Sequence, residues 1–286
     1  MELTPSDLRM LGEVAVDAAN EAGRLISSAR PLEVRHKPGA TPASQVVTEV
    51  DLQAEAAIVK RLRPTIERFD LGLLTEERDD DRSRLEKAYF WCVDPLDGTL
   101  PFIEGRPGSA VSIALVDHDG TPAVGVVHDP HDGTTWHAAV GAGVERNGVA
   151  WTPPVAGSSL SVFADRSLLD GDAADRFRAA IAVTASELGL DGVDWHVGAG
   201  AVMNACGVLT SPRACYVKAP VERGGGSLWD FAATACLFAE AGAAATDIVG
   251  RALDLNRADA TGMNHRGVCF ASDAVLSAEL RRRLGS

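Results

Sequence analysis

The stretch Trp91-Cys92-Val93-Asp94-Pro95-Leu96-Asp97-Gly98-Thr99 carries the densest chemistry in the chain. An apolar strand runs into two aspartates three residues apart, with a proline between them and Gly-Thr behind. Pro95 lacks an amide donor and stiffens the turn. Asp94 and Asp97 can then converge on a hard cation, which takes oxygen ligands, and the Leu96 carbonyl between them is a neutral third. A helix starting at Gly98-Thr99 would aim free amides at a phosphate. The plain alternative is an Asx-type turn capping a helix, the usual work of Asp before Gly. The motif alone leaves both readings open.

Two other segments repeat the pattern. Leu73-Leu74-Thr75-Glu76-Glu77 ends an apolar run on carboxylates. Adjacent carboxylates repel, so a site beside them favours a cation or a raised pKa. Glu77 reads as the start of a solvated loop leading into Asp79-Asp80-Asp81. Ser227-Leu228-Trp229-Asp230 sets an aspartate at a helix start after three glycines, where a cap and dipole partner is the alternative. Asp51 and Glu55 lie one turn apart on one helix face.

The elements that must hold these residues are legible in outline. Thr4-Pro5-Ser6-Asp7 opens a helix with cap, Pro at its first position and an acidic first turn. Leu8, Leu11, Val14, Ala18, Ala22, Leu25 and Ile26 then give it one apolar face. A loop over residues 36–45 precedes a second helix from near Thr48, with a break or restart expected at Pro64. Strands are predicted at Leu71–Leu74 and Tyr89–Val93. A meander is predicted over Ala110–Val116, Ala123–His128 and Thr134–Ala139, with Asp119-Gly120 and Asp132-Gly133 as its turns. Turn-forming residues from Trp151 to Ser159 suggest a boundary between an N-terminal α+β half, 1–152, and a C-terminal α/β half, 153–286. In the second half a strand near Leu160–Ala164, a helix near Ala173–Leu188, strands near Trp195 and Cys215, a helix after Asp230 and a final helix from Ala274 alternate.

Composition narrows the function classes. The chain has 286 residues, 46% hydrophobic and 23% charged, which are globular proportions. A net charge of −13 argues against binding a nucleic-acid polymer, which needs a basic surface. It does not exclude anionic substrates, because bound divalent cations invert the local field. Five cysteines without a Cys-x-x-Cys pair read as reduced core thiols, and with no signal-like N-terminus a cytoplasmic protein is expected. No run approaches a membrane span. The seven histidines form no metal-ligand cluster.

Taken together, the motifs resemble those of the inositol monophosphatase family, within the lithium-sensitive, magnesium-dependent sugar and nucleotide phosphatases. Val47-Thr48-Glu49-Val50-Asp51 with Glu55, Thr75-Glu76-Glu77, Asp94-Pro95-Leu96-Asp97-Gly98-Thr99, Ala110-Val111-Ser112-Ile113-Ala114 with Gly125-Val126-Val127, Trp229-Asp230-Phe231-Ala232-Ala233 and Glu240-Ala241-Gly242 follow that family's order. The resemblance implies an αβαβα sandwich of two closely joined halves, an α/β (α+β layered) fold. It implies a phosphomonoesterase that uses metal-activated water on a small phosphorylated metabolite, inositol monophosphate or a similar polyol phosphate. It further implies two or three Mg2+ per site and a homodimer. Glu76, Asp94 and the Leu96 carbonyl would hold one ion; Asp94, Asp97 and Asp230 a second; Glu76, with Asp51 through water, a third. Glu76 and Thr99 would orient the water. Gly98 and Thr99 amides, with Asp97 and Asp230, would face the phosphate. Gly198, Ala199 and Gly200 resemble a substrate-contacting loop.

Departures concern the substrate. Leu100-Pro101-Phe102 replaces the family's usual residues after Gly-Thr, and Ala243 replaces a glycine. The acidic residue that contacts inositol hydroxyls has no clear counterpart; Glu222 is nearest. Relatives that act on 3′,5′-bisphosphorylated nucleotides often have a lysine at the position of Leu100, so its absence weakens a doubly phosphorylated substrate. A bisphosphate nucleotidase, a fructose bisphosphatase and a histidinol phosphatase are the alternatives within the class. From another class, so is a non-catalytic metal- or phosphate-binding regulator, although every expected carboxylate is present.

Overall fold

The computed structural model describes residues 2–29, 34–36, 46–155, 157–170 and 174–284. The loop expected over 36–45 lies, from residue 37 on, outside them. The helices are α1 Pro5–Ser28, α2 Glu49–Phe69, α3 Thr99–Ile103, α4 Arg166–Asp170, α5 Ala174–Glu187, α6 Ala201–Leu209, α7 Leu228–Ala241 and α8 Ala274–Leu284. The strands are β1 Val34–His36, β2 Val46–Thr48, β3 Gly72–Thr75, β4 Tyr89–Asp97, β5 Ala110–Asp117, β6 Pro122–His128, β7 Thr135–Ala139, β8 Gly143–Arg146 and β9 Val149–Trp151. After these come β10 Ser159–Ala164, β11 Gly192–Val197, β12 Ala214–Lys218, β13 Ala244–Thr246 and β14 Val268–Ala271.

Strands β3 to β9 form a seven-stranded sheet in sequence order, antiparallel except for the parallel β3–β4 pair. A five-stranded sheet follows the order β11-β10-β12-β14-β13, with β11, β10 and β12 parallel. Beside them, β1 and β2 pair with each other.

Side-chain alternation along the strands creates the layers. On β4, Trp91 and Val93 meet the apolar faces of α1 and α2, while Phe90 and Cys92 meet α6 and α7. On β12, Tyr216 faces α6 and α7, while Cys215 and Val217 face α5 and α8. The stacking is therefore helices, large sheet, helices α6 and α7, small sheet, helices. This is the αβαβα sandwich expected from the sequence. The two sheets change over between Trp151 and Ser159, yet α6 and α7 serve both in one continuous core.

Three expectations are corrected. α2 runs unbroken through Pro64; the carbonyl that loses its amide partner belongs to Lys60, an exposed residue, and a carbonyl open to solvent makes a helix-interior proline less costly. β4 does not stop at Val93 but continues to Asp97. α7 begins at Leu228, so Asp230 is its third residue rather than its start. The hairpin β8–β9 and helix α6 were not anticipated, although Asn147-Gly148 between β8 and β9 has the positive φ angles, 52° and 74°, of a tight hairpin turn.

The capping box at Thr4 and Asp7 is formed, and all five cysteines are buried. No helix among the described residues is long and apolar enough to cross a membrane.

The close approach of α7 to the large sheet depends on Gly125 in β6. A Cβ there would lie 2.4 Å from the Ala233 carbonyl oxygen and 2.8 Å from the Cys236 Cβ. Gly125→Val is expected to push α7 off the sheet and to destabilise the fold by roughly 1–3 kcal/mol, as overpacking does. Urea denaturation checks this; an unchanged midpoint would show that α7 can shift without cost.

Candidate active site

The site assembles where β4 ends against the starts of α6 and α7. By alternation Asp94 shares a strand face with Phe90 and Cys92 and so points toward α7. Asp97, three residues on, would point the other way in a regular strand. A register shift prevents this: Asp94 pairs with Ser112 and Asp97 with Ala110, so two residues oppose one. This bulge turns both carboxylates to the same side. The Asx turn of the plain alternative forms within the site, since the Leu96 amide donates to Asp94 Oδ1 at 3.0 Å, but no side chain caps α3.

Asp230 completes the group. Among the described residues, Asp94, Asp97 and Asp230 are the acidic, histidine or cysteine residues that gather as a metal-holding cluster, each offering an oxygen within 4.8 Å of the others'. Asp94 is 1% and Asp97 8% exposed. Burial, then the charges of Glu76, Asp97 and Asp230, push the Asp94 carboxyl well above the ordinary range. Burial and Asp230 do the same to Asp97. Asp230 is raised by burial, although Lys218 and the Ser227 amide pull it back. Buried anions that repel one another call for a cation, and an all-oxygen set suits magnesium. The residues present fit that ion.

Each aspartate is held by amides. Those of Ala201 and Val202, at the start of α6, donate to Asp97 at 3.2 and 2.9 Å. The Ser227 amide donates to Asp230 Oδ2 at 2.9 Å. Glu76 stands just past β3, its amide bonded to the Val93 carbonyl at 3.1 Å. Thr75 faces the opposite side, donating its hydroxyl to Glu55 of α2, which Arg78 also pairs at 3.2 Å. Glu76 is thereby turned toward the aspartates. It lines, with Asp230, Ser227, Trp229 and Asn264, a cavity of about 340 Å³.

The remaining expected residues divide. Thr99 opens α3, and its hydroxyl donates to the Leu96 carbonyl at 3.3 Å. Gly98 caps it at φ 77°, where a Cβ would also meet the Gly108 carbonyl at 2.5 Å. Gly200 caps α6 and donates its amide to the Gly108 carbonyl at 2.8 Å, beside Asp97. Gly198 and Ala199 line a second cavity of about 370 Å³ on the β11 side. Asp51 is buried in the first turn of α2. Glu222 is not brought to the cluster; it is exposed, ahead of the glycine run, and its carbonyl accepts from Asn264 at 3.1 Å.

The fold delivers other residues instead. Lys218, ending β12, pairs with Asp165, which follows β10, at 2.9 Å. Tyr216 and Asn204 donate to the other Asp165 oxygen, both at 3.1 Å. Burial opposes the Lys218 charge, but Asp165 foremost, with Asp230 in support, holds the ammonium firmly protonated. Sequence reasoning passed over this pair, though each residue closes an apolar strand as Glu76 and Asp94 do. Cys92 supplies no nucleophile, because burial and then the Asp230 charge push its thiol up.

The model of the inositol monophosphatase family matches residues 7–283. The chain belongs to the inositol monophosphatase family. Within the family it is 30% identical to the histidinol-phosphatase of Mycobacterium tuberculosis over 97% of both chains. It is 34% identical to the inositol-1-monophosphatase of Synechocystis over 180 residues, 61% of this chain and 58% of that protein. It matches the Escherichia coli Nus factor SuhB at 39% over 140 residues, 47% and 49% of the two chains. The inositol monophosphatase of Thermotoga maritima superposes with a TM-score of 0.72 at 21% identity, covering 96% of this chain and 97% of that one. That of Anabaena gives 0.69 at 21%, covering 97% and 96%.

A carboxyl whose folded pKa lies above its unfolded value works against folding once the pH rises through that interval. Asp94→Asn removes the ionisable group and retains the oxygen facing Leu96. In chelator at neutral pH this variant is expected to melt above the wild type, by roughly 2–4 °C per kcal/mol relieved. The gap should close as the pH falls toward the ordinary carboxylate range. A lower melting point for the variant in chelator would contradict the repulsion described.

Proposed function

We propose that the protein is a magnesium-dependent phosphomonoesterase acting on a small phosphorylated metabolite. The observation carrying this reading is the convergence of Asp94, Asp97 and Asp230, from two distant parts of the chain, on one buried point. Glu76 stands beside them. The relatives named phosphatases support it.

Asp94, Asp97, Asp230, Glu76 and the Leu96 carbonyl would hold two or three ions. Magnesium bound there supplies charge neutralisation for the phosphate and a lowered pKa for water. The chain's own groups do the rest. Glu76 takes a proton from the attacking water and, with the Thr99 hydroxyl, sets its direction. The Gly98 and Thr99 amides turn toward the phosphate oxygens. Asp51 assists Glu76 through water. The resemblance adds a homodimer, lithium inhibition and a cytoplasmic setting to this proposal.

Phosphate release from a panel of phosphorylated metabolites, inositol 1-phosphate and histidinol phosphate among them, tests the reading. Activity should require magnesium and fall when calcium replaces it, because calcium prefers more ligands and longer bonds. Glu76→Gln should slow release by roughly 10² or more, as loss of a general base does, and Glu77→Gln by far less. Full activity after exhaustive chelation, or a defect confined to the Glu77 variant, would reverse these assignments.

A further inference from the structure

Lys218 has no part in the reaction as described, yet the fold takes trouble to hold it beside the site. Its strand face is that of Tyr216, so alternation alone turns it toward the α6–α7 layer. It sits at the carboxyl end of β12, beside the carboxyl end of its parallel neighbour β10, from which Asp165 follows. Ligands of open α/β sheets lie beyond such ends. The carboxyl end of β11 leads there too, into the loop Gly198-Ala199. The ammonium lies 5.7 Å from the Phe231 ring centre, next to Asp230, and its side chain is 17% exposed.

Asp165 answers its charge but not all of its donors. Asp165 divides its oxygens among three donors, Lys218, Tyr216 and Asn204. An ammonium carries three donors and accepts nothing; Asp165 and the Tyr216 oxygen engage at most two. Cations held by Asp97 and Asp230 would take up the negative charge that those carboxylates otherwise share with Lys218. The donor that Asp165 and Tyr216 leave over is then open to an anionic group brought by the ligand.

We infer that Lys218 is a specificity-determining residue that receives a second anionic group, a carboxylate or a further phosphate, on the alcohol portion of the substrate. The inference rests on the phosphatase reading above and narrows its substrate class away from uncharged polyols. Asp165 is the positioning residue, steering the ammonium while Tyr216 and Asn204 steer Asp165.

Matched ligands test it. 2-Phosphoglycerate differs from glycerol 2-phosphate by a carboxylate in place of a hydroxymethyl group. Fructose 1,6-bisphosphate differs from fructose 1-phosphate by one phosphate. The wild type should favour the more anionic member of at least one pair by roughly 10- to 100-fold in kcat/KM, the range of a hydrogen bond to a charged group. That ratio should collapse toward one in Lys218→Met and largely return in Lys218→Arg, which also answers for folding. Calorimetric affinities of the same pairs in calcium buffer give the ratio without turnover. If no ester is hydrolysed but the calorimetric ratio depends on Lys218, the phosphatase reading fails while the anion site at Lys218 stands. Hydrolysis with the same ratio in wild type and Lys218→Met overturns the inference alone. Equal or absent binding of both members in both proteins, without hydrolysis, overturns both.

Discussion

Everything at the site follows from the need to hold several carboxylates close together in a buried place. Left to themselves they would separate or take up protons. The chain prevents separation by fixing Asp94 and Asp97 on β4 and Asp230 on α7, and by giving each amide donors. Asp97 is gripped by the first amides of α6, Asp230 by its own capping box, and Asp94 by the amide two residues on. The helix starts contribute their positive ends where negative charge is densest. Repulsion that remains is the reserve that a bound cation relieves.

The same economy appears in the strands. Period-two alternation packs the sheet faces, and where a strand ends the next inward position is free to carry a charge. Glu76, Asp165 and Lys218 occupy such positions, and Asp94 occupies an inward position just before the bulge near the end of β4. The middle helical layer fills the space between the sheets everywhere except at their ends, so those inward positions become the walls of the cleft.

Much of this was legible in the sequence. The meander with its Asp-Gly turns and the Thr4 cap rest on local chemistry or alternation, and the motif order rests on the family resemblance. The bulge at Pro95-Leu96 was legible only as a turn: Pro95 cannot donate to a ladder and so marks an irregularity there, but the register shift itself is defined by the partner strand β5. Pro64 misled because its cost depends on whether the carbonyl behind it meets water. Helix α6 is short and apolar on nearly every side, so it shows little helical periodicity. Lys218 and Asp165 were overlooked because their meaning arises only when β10 and β12 lie side by side, and Glu222 drew attention for its acidity rather than its position.

The shared middle layer has a bearing on inheritance as well as on stability. Since α6 and α7 close the cores of both sheets at once, neither half keeps its apolar face covered without the other. A chain cut between Trp151 and Ser159 would yield two fragments, each with a bare sheet surface and an incomplete set of acidic groups. Domain shuffling, which moves self-sufficient pieces between genes, has no clean seam to use here. The two halves can change their loops independently, but they have to be passed on together.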